Sequence, residues 1–169
     1  MIQSRKKIFV SDTGNNRVLR FASLADLQNG ADAEAVLGQA DFYNTVGATS
    51  SLGMRGPVGL AIDAEGRLWV ADAGNHRILR FDGAASKADG AAANGVLGQA
   101  NFTTSDTGLS ASGLNNPQGV AVDGNGRLWV ADTFNNRVLR FDGAASKTNG
   151  APANGVLGQT GFTSKTIDQ

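Results

Sequence analysis

Residues 70–81 read VADAGNHRILRF, and this stretch decides the fold because it occurs three times. The pattern reads VSDTGNNRVLRF at residues 10–21 and VADTFNNRVLRF at residues 130–141, so the period is 60 residues. A second marker, VLGQ, begins at Val36 and returns twice with the same spacing. A fixed period of this length is typical of architectures in which each repeat forms one supersecondary unit.

The two markers divide the chain, which we treat as one domain over residues 1–169, into three repeats. Residues 53–104 and 113–164 align without a gap and are identical at 34 of 52 positions, which indicates recent duplication. The first repeat is the most divergent. The predicted repeats cover residues 1–52, 53–112 and 113–169.

Each repeat contains four short apolar runs separated by turn residues, a pattern that predicts four β-strands. The run at residues 68–71 is apolar on both faces, as expected of a strand buried between two sheets. No segment shows a sustained helical period, so we predict an all-β protein of four-stranded antiparallel sheets, three per chain. In repeat 2 the predicted strands cover residues 59–63, 67–72, 77–82 and 96–102.

Regular four-stranded units predict a β-propeller, because radial repetition leaves only short, protected sheet edges. Three blades alone would leave two apolar flanks in water. The chain is eleven residues short of three periods, with Met1 aligned to Ala61 inside a first strand and Gln169 aligned to Leu109. We therefore expect a homodimer in which two chains close a six-bladed ring. The alternative is that the sequence is a fragment of a longer chain.

Two stretches carry a family resemblance. Residues 114–142, LNNPQGVAVDGNGRLWVADTFNNRVLRFD, closely resemble the NHL repeat, and residues 54–82, MRGPVGLAIDAEGRLWVADAGNHRILRFD, repeat it. The VLGQ-x-x-F segments are similar to the outer part of the longer NHL repeats of bacterial surface or secreted proteins. The resemblance implies a six-bladed propeller with its functional surface on one loop face. It favours a secreted or cell-surface location, although the sequence offers no signal peptide.

Composition narrows the function classes. Fifteen Lys and Arg balance fifteen Asp and Glu, so the chain lacks the positive charge expected of a nucleic-acid binder. No apolar run approaches the roughly 18 residues of a membrane-spanning helix. A metal site is hard to assemble from one histidine, His76, and no cysteine. We therefore expect no nucleic-acid partner, no membrane span, no metal and no cofactor.

The turns after the second strand of each repeat carry the predicted ligand-binding residues. Their pattern, Asp-x-x-Asn-[Asn/His]-Arg, offers amides and guanidinium groups to a peptide, glycan or carboxylate ligand. A structural interpretation competes with this one, because the Asp and the Arg five residues later can clasp the turn. Phe134 replaces a glycine of the other repeats, so it is either a ligand contact or a packing plug. The predicted ligand-binding residues are Asn15, Asn16, Arg17, Asn75, His76, Arg77, Phe134, Asn135, Asn136 and Arg137.

These features predict a non-catalytic binding scaffold whose loops at residues 43–56 and 103–116 present a face to a protein or carbohydrate ligand. No catalytic residue is predicted, since His76 aligns with asparagine in both other repeats. Two alternatives stay open. The first is a metal-dependent lyase or lactonase-like enzyme, an activity known among related propellers. The second is an architectural repeat fragment of a larger bacterial surface protein.

Overall fold

A computed structural model describes residues 2–4, 7–23 and 25–167, which form three four-stranded antiparallel sheets. In each sheet the strands pair in chain order, so each sheet is one blade with strands a to d. The prediction of an all-β protein with three such blades is confirmed. Met1 and Gln169, on which the alignment of the two ends rests, lie outside the described residues. The strands are β1 (Ile2–Ser4), β2 (Lys7–Asp12), β3 (Arg17–Phe21) and β4 (Ala35–Leu37) in blade 1; β5 (Pro57–Ile62), β6 (Leu68–Asp72), β7 (Arg77–Phe81) and β8 (Gly95–Leu97) in blade 2; and β9 (Pro117–Val122), β10 (Leu128–Asp132), β11 (Arg137–Phe141) and β12 (Gly155–Leu157) in blade 3.

Strand β6 of the middle blade is buried on both faces, as its sequence predicts. Successive side chains of a strand point to opposite faces. Leu68 and Val70 pack in the apolar cluster between blades 1 and 2, whereas Trp69 and Ala71 pack in the cluster between blades 2 and 3. Each of these four side chains is at most 2% exposed. Stacking of the blades therefore accounts for the apolar sequence of this strand.

Blades 2 and 3 come into close contact along their first strands, β5 and β9. A Cβ atom added to Gly59 in β5 would collide with the carbonyl oxygen of Gln118 and lie 3.2 Å from Cα of Gly119 in β9. Glycine is therefore required where the two strands meet. The pairing of β5 with β6 also shifts register between Pro57 and Leu60, beside this contact.

The fourth strand is shorter than predicted. The expected strand at residues 96–102 is only Gly95–Leu97 in the structure. Gly98 has a φ of +87°, which turns the chain out of the sheet. The next side chain, Gln99, then donates from Nε2 to the carbonyl oxygens of His76 and Asp106, at 3.1 and 2.7 Å. Side-chain hydrogen bonds thus replace strand pairing beyond Gly98.

Three-residue 3₁₀ turns connect the second and third strands of each blade, here called the b–c turns. Each is followed by one residue in the left-handed conformation, for example His76 with a φ of +53°. Asparagine and histidine enter this region more readily than most residues. No helix in the described ranges is long and apolar enough to cross a membrane. The b–c turns are Thr13–Asn15, Ala73–Asn75 and Thr133–Asn135.

We expect Gly98→Ala to lower the free energy of unfolding by about 2–4 kcal/mol, from the positive φ and the crowding. The added Cβ would meet the Leu114 side chain and lie 3.0 Å from the His76 carbonyl oxygen. Gly124→Ala is the control, because no atom lies within 4 Å of its added Cβ and repeat 2 has Ala64 there. Urea unfolding followed by tryptophan fluorescence measures both. Equal midpoints would contradict the prediction.

Candidate functional site

The b–c turns lie at one end of the blades, together with the loops that lead from each fourth strand to the next blade. We call this surface the turn face. It comprises residues 12–17, 72–77 and 132–137 with the loops at residues 43–56 and 103–116. Side-chain hydrogen bonds join turns and loops, as at Asn16, whose Nδ2 donates to the carbonyl oxygen of Thr45 at 2.8 Å.

An ion pair between Asp72 and Arg77 closes the b–c turn of blade 2. Oδ2 of Asp72 accepts from Nε of Arg77 at 2.7 Å and from Nδ2 of Asn75 at 2.9 Å. Its Oδ1 accepts from the backbone N–H of Arg55 at 2.6 Å. Both charged side chains are fully buried. Burial raises the pKa of Asp72, and the Arg77 charge opposes that shift.

The remaining donors of Arg77 bind the loops on both sides of blade 2. Nη2 donates to the carbonyl oxygens of Ser50 and Gly53, at 3.0 and 2.9 Å. Nη1 donates to the carbonyl oxygen of Phe102 at 2.6 Å. A buried guanidinium is tolerated only when it is paired and hydrogen-bonded. One side chain therefore fixes the turn, the loop before the blade and the loop after it.

The same clasp is complete in blade 3 and lighter in blade 1. Arg137 is fully buried, pairs with Asp132 at 2.7 Å, and donates to three loop carbonyl oxygens like its counterpart in blade 2. Arg17 is partly exposed, and its hydrogen bonds among the described residues go to Asp12, at 2.7 Å, and to the carbonyl oxygen of Phe42, at 2.5 Å. The sequence pattern thus forms a structural clasp in all three blades.

The ten predicted ligand-binding residues divide by exposure. The buried ones serve the clasps, so we do not include them in a binding surface. Asn15 and Arg17 are partly buried and also belong to a clasp. For the four residues that are half-buried or exposed and lie outside the clasps, ligand binding stays a prediction. The buried residues are Asn75, Arg77, Asn135 and Arg137; Asn16 and His76 are half-buried, and Phe134 and Asn136 are exposed.

The left-handed residues after the first two b–c turns, Asn16 and His76, each link their blade to the next, a role that the sequence analysis missed. Oδ1 of Asn16 accepts from the backbone N–H of Gly56 at 2.8 Å. His76 uses Nδ1 in the same way and accepts from the N–H of Asn116 at 3.0 Å. The imidazole therefore replaces an asparagine acceptor, and it can do so only while Nδ1 is unprotonated.

Large apolar side chains are exposed on the turn face, of which the sequence analysis identified only Phe134. Val46 is 78% exposed, Leu52 54% and Phe134 59%. Leu52 lies between two residues whose carbonyl oxygens accept from Arg77, so its loop is fixed. Comparison of the repeats could have found the other two, because the aligned residues are small or polar. These are Asp106 and Thr166 for Val46, Ser112 for Leu52, and Gly14 and Gly74 for Phe134.

Metal-ligand clusters and polar clefts are the other features of the described residues that bear on chemistry. Within residues 2–4, 7–23 and 25–167, no group of three or more His, Cys, Asp or Glu side chains could hold a metal ion. A cleft of about 290 Å³ lies in the loop after blade 2 and is lined only by small and polar residues, among them Gln99 and Asp106. It offers hydrogen-bonding groups but no large apolar contact.

We expect Arg77→Lys to lower the free energy of unfolding by about 3–5 kcal/mol, because several buried carbonyl oxygens lose their donor at about 1–3 kcal/mol each. Lysine keeps the charge but lacks the planar fork that reaches Asp72 and three carbonyl oxygens. Arg17→Lys is the matched control in the partly exposed clasp, with an expected loss of about 1 kcal/mol or less. Urea unfolding compares the two variants, and equal losses would contradict the role of the buried clasp.

We expect the stability of the chain to fall as the pH drops below about 6.5, the ordinary pKa of histidine. Desolvation lowers the pKa of His76 in the folded chain, against the opposing charges of Asp132 and Asp72. Protons therefore bind the unfolded chain first, and one site contributes at most about 1.4 kcal/mol per pH unit. His76→Asn keeps an acceptor for Asn116 that does not titrate.

Unfolding free energies at pH 7.5 and pH 5.5 test this assignment. The drop on acidification should be smaller in His76→Asn than in the unchanged chain. An identical drop in both proteins would show that other groups cause the pH dependence.

Comparison with known proteins agrees with this architecture. The NHL repeat family model matches residues 54–81 and 114–141. NHL repeat-containing protein 2 of Gallus gallus is 33% identical over 147 residues, which are 80% of this chain and 19% of that protein. The chloroplastic protein SUPPRESSOR OF QUENCHING 1 of Arabidopsis thaliana is 25% identical over 143 residues, 80% of this chain and 13% of that protein.

A third relative carries an enzyme name. It is a Caenorhabditis elegans protein named "probable peptidyl-alpha-hydroxyglycine alpha-amidating lyase", 33% identical over 90 residues, 51% of this chain and 22% of that protein. The chain thus spans less than a quarter of the length of each of these three relatives.

Solved structures share the fold at low sequence identity. A chain from a nidogen/laminin complex has a TM-score of 0.55 and 21% identity, covering 92% of this chain and 44% of that one. A streptogramin B lyase has a TM-score of 0.52 and 14% identity, covering 85% of this chain and 36% of that one. These likenesses concern the fold alone. The family-model matches in blades 2 and 3, and the 33% identity to NHL repeat-containing protein 2, agree with the repeat pattern: the chain belongs to the NHL-repeat family.

Proposed function

We propose that this chain is a non-catalytic binding module whose turn face binds a protein ligand. The observation that carries the proposal is the exposure of Val46, Leu52 and Phe134 at positions where the other repeats have small or polar residues. The fold does not require these apolar side chains. Covering them with a partner would gain about 25 cal/mol per Å² of apolar surface removed from water.

The clasps support the proposal because they hold the loops of the turn face in place before a ligand arrives. Arg77 and Asn75 bind the backbone of the loop at residues 43–56 through three carbonyl oxygens, at 2.9–3.0 Å. A surface that is already ordered loses less conformational entropy on binding. Phe134 is fixed similarly, since its backbone N–H donates to the carbonyl oxygen of Asn115 at 3.1 Å.

Two of the exposed side chains, Val46 and Leu52, favour a protein ligand over a carbohydrate, whereas the rings of Phe134 and Tyr43 suit either. Val46 and Leu52 are aliphatic, and such side chains offer a sugar neither hydrogen bonds nor a flat ring. Aliphatic and aromatic side chains together suit the apolar centre of a protein interface. The polar cleft beside Gln99 is the surface that a carbohydrate would use instead.

A lyase is the alternative, and the 33% identity to the named amidating lyase supports it. The described residues do not provide a cluster of His, Cys, Asp or Glu side chains that could hold a metal ion. Bound divalent metal in the purified chain, with cleavage of a peptidyl-alpha-hydroxyglycine substrate, would favour this alternative over a binding module.

Ligands selected from a peptide-display library test the binding module. We expect the combined variant Val46→Thr, Leu52→Ser and Phe134→Gly to bind the selected peptides at least tenfold more weakly. Each substitution introduces a residue already found at the aligned position, namely Thr166, Ser112 and Gly74. The free energy of unfolding should therefore change by less than about 1 kcal/mol. Isothermal titration calorimetry measures the affinity.

The matched control changes the opposite end of the blades. Ala64→Ser and Asn125→Ser alter exposed residues of the turns between first and second strands, and they should leave peptide affinity unchanged. Unchanged affinity in the turn-face variant would contradict the proposal. Selective binding on a glycan array without any selected peptide would point to a carbohydrate ligand instead.

A further inference from the structure

The two interfaces between blades are built in the same way. We call the face of a blade that contacts the next blade its leading face, and the opposite face its trailing face. The leading face of blade 2, with Trp69 and Ile78, packs on the trailing face of blade 3, with Leu128, Val130 and Phe141. One repeat earlier, the equivalent residues of blades 1 and 2 form the other apolar cluster.

The outer faces of blades 1 and 3 carry the same kind of apolar side chains, and no other blade among the described residues covers them. On the leading face of blade 3, Trp129 and Val138 are only partly buried, and Leu157 is 55% exposed. On the trailing face of blade 1, Val10 and Phe21 are partly exposed. Shallow grooves of about 310 and 330 Å³ lie on these faces. The equivalent residues of blade 2, Trp69, Ile78, Leu97, Val70 and Phe81, are at most 3% exposed.

The outer edge of each of the first two sheets is also covered, through hydrogen bonds from a turn of the next blade. The edge of β4 is covered by blade 2, where Oδ1 of Asp89 accepts from the N–H of Val36 at 2.9 Å. The N–H of Gly90 donates to the carbonyl oxygen of Val36 at 3.0 Å. Asn149 and Gly150 of blade 3 cover β8 in the same way, at Val96.

One turn of this kind has no strand edge to cover within the described residues. Blade 1 carries the same pair as Asn29 and Gly30, with a φ of +77° at the glycine, against +64° at Gly90. No atom lies within 4 Å of a Cβ added at Gly30, whereas Cα of Ala40 lies at 3.1 Å from one added at Gly90. On blade 3, no turn of the described residues lies on the edge of β12 at residue 156. The turn at Asn29 and Gly30 is therefore equivalent to the turns that cover β4 and β8, and the edge of β12 is equivalent to the edges that those turns cover.

The geometry points to a second copy of this chain as the partner that covers both faces. Blade 1 of each copy packs its trailing face on the leading face of blade 3 of the other, with Asn29 and Gly30 on the edge of β12. Propellers close with about four to eight blades. Two copies of the three described blades make six, which falls in that range, so the proposed assembly is a closed head-to-tail ring of six blades.

Sedimentation velocity on the purified chain at about 1–10 µM tests the ring. The expected mass is twice 17.4 kDa, and it should stay constant over that range. A monomer would overturn the proposal and leave the faces to other partners. A mass that grows with concentration would also overturn it, because repeated head-to-tail contacts without closure produce open chains.

Substitutions at Ala131 probe the leading face of blade 3. Ala131→Glu places a carboxylate on a surface that is part-exposed in one chain but buried without a partner in the ring, so the dimer should weaken at least about 100-fold. Ala131→Ser is the matched control and should remain dimeric, because Ser11 occupies the aligned position in the interface between blades 1 and 2. Circular dichroism checks that both variants fold.

Substitutions at Asn29 probe the edge contact independently, on an exposed loop where folding is not at risk. Asn29→Ala removes the acceptor and should weaken the dimer about 3- to 10-fold. Asn29→Asp keeps the acceptor that Asp89 supplies between blades 1 and 2, and it should preserve the dimer. A dimer unaffected by both Ala131→Glu and Asn29→Ala would use another surface and would overturn the assignment.

Discussion

The fully buried guanidinium of Arg77 holds one turn and two loops in place, as Arg137 does in blade 3. Its charge is balanced by Asp72 at 2.7 Å, and its other donors reach carbonyl oxygens in two separate loops. Because an unpaired buried charge is costly, the turn and both loops must keep their positions for blade 2 to fold. The conformation of the turn face is thus tied to folding itself.

A second constraint acts between blades. Every blade has two apolar faces, so each needs a neighbour on both sides, and the middle blade has both. The hydrogen bonds of Asn16 and His76 to the following blade fix the spacing at one end, and the edge turns at Gly90 and Gly150 fix it at the outer strands. The same contacts recur at each junction because the repeats are in strict register.

The period and the apolar runs were sufficient to predict three antiparallel blades, because these features depend on burial, which the sequence reports directly. The length of the fourth strand was predicted wrongly, since Gly98 turns the chain and Gln99 satisfies the backbone beyond it. The choice between clasp and ligand site stayed open for Arg77, because burial of a polar residue depends on loops distant in sequence. The link through His76 was missed for the same reason, as its partner is 40 residues away.

The differences between the repeats show which sequence positions can change without altering the fold. Asp72, Asn75 and Arg77 have identical counterparts in blade 3, whereas His76 aligns with asparagine and Phe134 with glycine. The clasp residues are buried and cannot vary without loss of stability, but an exposed turn position can. The repeats therefore share the same buried clasp residues but present different side chains on the surface. In a ring of two copies each distinct surface would occur twice on one face, so a partner with two matching sites would gain affinity through multivalency without any new contact.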